Sequence, residues 1–142
     1  MDERVKEHLK YLNRYYLLLV KVKSTSREEF LKDPVLQGGT ERFLQLAIES
    51  CLNVGNRLLS LSQFEKPIRT PETYADIFTE MKSLGVIDGN LTDRFVKMAR
   101  FRNRLVHLYW ELDKEMIYEF IQENLEDFKM FEKKVVDYLS KK

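Results

Sequence analysis

Between Thr40 and Ser62 the chain places apolar side chains on almost every side of a helix: Phe43, Leu44, Leu46, Ala47, Ile48, Cys51, Leu52, Val54, Leu58, Leu59 and Leu61. Such a helix has no face to give to water, so it predicts a central rod with other elements wrapped around it. Glu49, Asn53 and Asn56 fall at i, i+4 and i+7 along that rod, one polar stripe on an otherwise buried surface. Buried polar groups need partners, so the stripe predicts a polar element facing it.

The flanking segments also read as helices. Val5, Leu9, Leu12, Tyr16 and Leu19 recur at helical spacing and predict a helix from about Asp2 to Lys23, broken by Ser24-Thr25-Ser26. Ser26 and Glu29 fit a capping box for a short helix over 26–32. Asp33 and Pro34 offer an N-cap and a proline at the first helical position. Each glycine inside a helix costs about 1 kcal/mol, so Gly38-Gly39 predicts a break, with the stronger start at Thr40. After the Pro67–Pro71 loop, Thr70 and Pro71 predict a helix over 71–84 that Gly85 ends. A turn around Asp88-Gly89-Asn90 precedes a helix that starts at Thr92, or just before it, and reaches at least Leu108. Ile117, Ile121, Leu125, Phe128, Val135 and Leu139 predict one long last helix over 113–139. No segment alternates as a strand does, and no internal repeat is present. The expectation is one all-α domain over 1–142, a bundle of five to six helices with two long antiparallel helices at its core.

Cys51 cannot form an internal disulfide, being the single cysteine, and its apolar surroundings suit a small buried hydrophobe in a reducing compartment. The N-terminus MDERVKEHLKYL is charged and lacks the apolar core of a signal peptide. No apolar run approaches the roughly 20 residues that span a bilayer, so the reading is a cytoplasmic protein. Histidines number two, His8 and His107, far apart in sequence, so no metal-ligand cluster and no cofactor site is legible.

The net charge is only +1, yet the charges are sorted. Arg94, Lys97, Arg100, Arg102 and Arg104 lie in a stretch without an acidic residue, whereas Glu111 to Asp127 holds seven acidic residues and one lysine. Either the basic helix pairs with its acidic neighbour, or it forms a local positive field that attracts phosphates.

The basic stretch ARFRNRLVHLYW, residues 99–110, sharpens the question. At about 100° per residue, Phe95, Met98, Ala99, Arg102, Leu105, Val106 and Tyr109 share one core-facing sector. Lys97, Arg100 and Arg104 form a separate basic edge, and Asn103 and His107 sit together as i, i+4 neighbours. An arginine in an apolar sector keeps its charge and costs several kcal/mol if buried unpaired. Two answers are open and compatible: a buried carboxylate, for which Glu49 is the best candidate, or a wet cleft or second subunit. His107 is either a packed or surface residue, or a proton carrier, since histidine titrates near neutrality. Tyr109 either packs in the core or extends its hydroxyl to the cleft beside Arg102. Arg102 and His107 are about 140° apart on an ideal helix, so a bent helix end or a two-fold dimer is needed to bring both to one phosphate.

Arg102, His107 and Tyr109 spell R-x4-H-x-Y, and FRNRLVHLY at 101–109 resembles the FRN-x-LVH-x-Y segment of the HepT toxins of the HEPN superfamily. LAIESCLNVGNRLLS at 46–60 resembles that family's apolar helix with an internal Glu, and DPVLQ at 33–37 stands where that helix usually opens. The chain departs from the pattern at Gly38-Gly39 and at Trp110. The resemblance implies a HEPN-type bundle forming a symmetric homodimer, with the motif helices at a shared cleft. It implies a metal-independent endoribonuclease toxin. The RNA's own 2′-hydroxyl would attack the neighbouring phosphate, with His107 as general base or acid and Arg102 stabilising the phosphate charge. Asn103 would hold the nucleotide or orient His107, Glu49 would support Arg102, and Lys97, Arg100 and Arg104 would steer RNA. The implied partner is an MntA-like nucleotidyltransferase antitoxin that adenylylates the motif tyrosine, Tyr109 here. Added AMP would bring charge and bulk into the cleft and compete with RNA for Arg102. Two other readings stay open: a non-catalytic nucleotide- or protein-binding HEPN domain that partners the nucleotidyltransferase, and a plain helical bundle in which Arg102–Glu49 is a structural pair.

Overall fold

The computed structural model describes residues 1–107 and 112–142. Among them are seven helices and no strand: α1 (Glu3–Lys23), α2 (Arg27–Lys32), α3 (Pro34–Ser62), α4 (Tyr74–Ser83), α5 (Gly89–His107), α6 (Lys114–Glu123) and α7 (Glu126–Ser140).

α3 is the central rod. Leu44, Ala47, Ile48, Cys51, Val54 and Leu58 are buried, and α1, α4 and α5 all pack on it. α1 lays Val5, Leu9, Leu12, Tyr16, Leu19 and Val22 against it, the expected stripe. The two run antiparallel: Asp2, the N-cap of α1, takes a two-pronged bond from Arg57 near the far end of α3, at 3.1 Å from Nε and 2.9 Å from Nη2. Asp2 also accepts from the backbone N–H groups of Arg4 and Val5, so one carboxylate both starts α1 and clamps it to α3.

Four boundaries differ from the sequence expectation. α3 runs unbroken through Gly38-Gly39. Asp33 caps its first turn through the Leu36 N–H at 3.1 Å, and Gln37 donates to the Phe30 carbonyl at 2.9 Å, tying the glycine-bearing turns to α2. A cap is worth about 1 kcal/mol, which offsets about half of the cost of two glycines. α4 starts at Tyr74, beyond Pro71, because Thr73 and Asp76 form a reciprocal capping box. α5 starts at Gly89, because the Asp88 carboxylate accepts from the Leu91 N–H at 2.8 Å. The expected long last helix is two, α6 and α7, parted at Asn124-Leu125, which brings the total to seven. The break lets the pieces face different neighbours. α6 bonds the α1–α2 turn through Tyr118 to the Thr25 carbonyl and Gln122 to the Lys23 carbonyl. α7 sends Phe128 and Phe131 against Phe95 of α5, with ring centroids at 6.1 and 4.9 Å.

Gly85 does end α4, with φ +83° and the Val86 N–H returning to the Met81 carbonyl at 3.0 Å. Gly55 lets α4 approach α3: a Cβ there would stand 2.5 Å from Ile77 Cγ2 and 2.9 Å from Met81 Sδ. No helix among the described residues is long and apolar enough to cross a membrane.

Candidate active site

α5 carries most of the candidate residues. Phe95, Met98, Ala99 and Leu105 are buried, which fixes the rotation of the helix about its axis. Arg102 is then forced inward among them, with a side chain only 15% exposed. Its guanidinium meets Glu49 of α3: Nη2 donates to Oε1 at 2.6 Å and Nε donates to the same oxygen at 3.0 Å. Gln45 adds a third donor to that oxygen at 3.1 Å, one turn before Glu49. The Tyr74 ring covers the guanidinium, 4.8 Å from Cζ to centroid. Nη1 turns to Asn103 Oδ1 at 3.3 Å. A planar fork held on an ion pair, a ring face and an amide has little freedom left, which suits a group that must meet charge in place.

Both open answers for Arg102 therefore apply. It pairs with Glu49, and it stands at a cleft wall: Tyr74 and Asn103, its two other contacts, line an open cleft of about 690 Å³ with Asn56, Thr70 and Thr73. The rest of the polar stripe on α3 behaves differently. Asn53 and Asn56 are exposed, so no facing element covers them, and only Glu49 meets a buried partner. The bundle wraps α3 on three sides and leaves that side at the cleft.

His107 is exposed, the last described residue of α5. Arg102 spends its bonds on Glu49 and Asn103, and nothing among the described residues links it to His107. One chain thus presents the two motif residues on different sides of α5. Asn103 is exposed and engaged with Arg102. Tyr109 lies outside the described residues, as do Leu108, Trp110 and Glu111.

Lys97, Arg100 and Arg104 are exposed. Among the described residues no carboxylate lies within ion-pair distance of any of them. Among the described residues, the acidic neighbour pairs with α5 only through Asp127, 3.1 Å from Arg94. Burial pushes the Asp127 carboxyl up, with Arg94 opposing the shift. Lys114 pairs with Glu41 and Glu115 with Arg27, away from the basic edge. No group of three or more His, Cys, Asp or Glu side chains among the described residues could hold a metal ion.

The family model described as "Ribonuclease HepT-like" matches residues 5–135. The chain belongs to the HepT-like ribonuclease family. It is 31% identical over 103 residues to the mRNA nuclease HepT of Shewanella oneidensis, covering 72% of this chain and 74% of that protein. It is 24% identical over 135 residues to the tRNA nuclease HepT of Aphanizomenon flos-aquae, covering 95% of this chain and 89% of that one. Its fold matches the tri-AMPylated HEPN toxin of Shewanella oneidensis, solved in complex with MNT antitoxin, at a TM-score of 0.86 and 25% identity, covering 96% of this chain and 99% of that chain.

Two contacts of this HepT-like site were not legible beforehand. Gln45 carries no motif signal beyond standing four residues before Glu49. Tyr74 opens a helix whose start the sequence places at Pro71, and its contact with Arg102 is purely tertiary.

Proposed function

We propose that this HepT-like ribonuclease is the toxin of a toxin–antitoxin pair and cuts RNA at a cleft shared by two copies of the chain. The observation that carries the reading is Arg102, charged, inward and clamped by Glu49, Gln45 and Tyr74, with exposed His107 five residues on along the same helix. A two-fold dimer supports one site from both sides, Arg102 from one copy beside His107 of the other. His107 takes the proton of a ribose 2′-hydroxyl. The freed oxygen bonds to the adjacent phosphorus, the bond from phosphorus to the 5′-oxygen breaks, and the same His107 returns its proton to that oxygen. The products are a 2′,3′-cyclic phosphate and a 5′-hydroxyl. Arg102 meets the charge that grows on the phosphate oxygens. Because the nucleophile is part of the substrate, no metal-bound water is required.

Asn103 holds Arg102 or the nucleotide, and Lys97, Arg100 and Arg104 draw the strand in. The protein works on RNA in the cytoplasm. The regulator is an MntA-like nucleotidyltransferase that adenylylates Tyr109. The likeness to a tri-AMPylated HEPN toxin in complex with MNT antitoxin supports this part of the reading. Each AMP adds negative charge and a base next to the motif and shuts RNA out.

The test is paired expression in bacteria of wild type and His107→Ala without antitoxin, reading growth and total RNA. The expected result is growth arrest and RNA loss with wild type only, and cut ends bearing cyclic phosphate. Harmless, folded wild type with intact RNA would overturn the reading.

A further inference from the structure

Away from the Arg102 cleft, α5 and α6 enclose a second groove of about 360 Å³. Its apolar lining is Met98, Phe101, Met116 and Phe120. The Phe101 and Phe120 rings lie near parallel, centroids 6.2 Å apart and planes at 25°. Its basic lining is Lys97, Arg100 and Arg104, with Arg94 held by Asp127 at the inner end. The three outer cations and His107 are spaced i, i+3, i+7 and i+10 on α5, and all are exposed. At 1.5 Å per residue they form one ridge about 15 Å long, which ends at His107.

We propose that this groove is a nucleobase subsite: a single-stranded RNA runs along the ridge toward His107 and drops one base among Phe101, Met116 and Phe120. This rests on the ribonuclease reading and extends it by naming where a flanking base binds. Two halves of one ligand are matched. Cations on the ridge meet phosphates, and flat apolar surface beside them meets the face of a base, the pairing that single-strand binders use without needing sequence. An acidic amphipathic helix would match the charge as well. It presents anchors over several turns, whereas this groove is sized for one or two flat groups. The ridge also leads to the reacting histidine, which gives a strand a reason to lie there.

The test is fluorescence anisotropy on the wild-type protein with a short single-stranded RNA whose riboses are all 2′-O-methylated, so that it cannot be cut. The same strand without bases keeps the charge and removes the stacking. The intact strand is expected to bind roughly tenfold more tightly than the abasic one. Met116→Trp fills the groove from a side chain that is 39% exposed, so it leaves the core intact. It should bring the ratio of the two affinities close to one. Lys97→Ala should weaken both strands alike and leave the ratio standing. Equal affinity of wild type for the two strands, or a ratio unmoved by Met116→Trp, would overturn the subsite while leaving the ribonuclease reading in place. Failure of every strand to bind would remove that reading, and the subsite with it.

Discussion

At the scale of single residues, the most consequential contact is Arg102 with Glu49. One carboxylate oxygen receives Nε and Nη2 of Arg102 and the amide of Gln45. Arg102→Ala removes the phosphate partner and strands Glu49, so two effects should appear together. Cleavage should fall by about 10²- to 10³-fold, as when one preorganised donor is lost. Stability should fall by about 1–3 kcal/mol, because a half-buried carboxylate loses its partner. Adding Glu49→Gln should restore much of the melting temperature and none of the cleavage. Recovery of cleavage in that double variant would show that Arg102 acts only as a structural cation. Asp2 gives a pH prediction. The Arg57 bond to it, helped by the Arg4 and Val5 N–H groups, lowers its carboxyl from 3.8 to about 2 against a partial burial cost. A lowered folded-state pKa adds stability above the unfolded value and loses it as pH falls through the folded one. Asp2→Asn keeps the cap and removes the charge. Its melting temperature should trail wild type at pH 6, and the gap should close between about pH 4 and pH 2.

At the scale of elements, α3 and α5 do most to place the site, and their crossings are set by small residues and caps. Gly55 is where α4 meets α3, and a methyl group there would overlap Ile77 and Met81. Gly55→Ala is therefore expected to destabilise by about 1–3 kcal/mol, despite the better helix propensity of alanine. A chemical denaturation curve reads this directly, and a neutral or stabilising result would mean that α4 shifts freely. The overlap would also push α4, and Tyr74 with it, away from Arg102, so the same variant should lower ribonuclease activity more than its stability loss explains. The cap positions show why boundaries drifted from expectation. Thr70-Pro71 and Thr73 are both good starts, and the reciprocal bonds of Thr73 with Asp76 decide for the second. The division of α6 from α7 has no glycine or proline to mark it; Asn124 ends α6, whose Tyr118 bonds the α1–α2 turn, while α7 sends Phe131 against Phe95 of α5.

At the scale of the whole molecule, one chain turns Arg102 inward and leaves His107 exposed, so the proposed site needs a second copy. Mixing Arg102→Ala chains with His107→Ala chains tests this. Each mixed dimer then holds one composite site with both residues intact, and random exchange makes about half the dimers mixed. Two inactive preparations should recover about a quarter of wild-type activity after exchange. No recovery, in a preparation shown to contain mixed dimers, would mean that both residues must come from one chain or all four are needed.

The sequence by itself determined the helical class, the central place of α3, the inward arginine and its carboxylate partner. Each of these rests on local periodicity or on the cost of an unpaired buried charge, and both are fixed by residue order. The R-x4-H-x-Y pattern also placed the chain in its family. Only the tertiary structure decided that Asn53 and Asn56 stay exposed, that Tyr74 closes over Arg102, and that the basic edge finds an aromatic groove beside it. The physical reason is that a helix repeats itself over a few residues, whereas these features depend on how separate helices pack, through angles that no local pattern encodes.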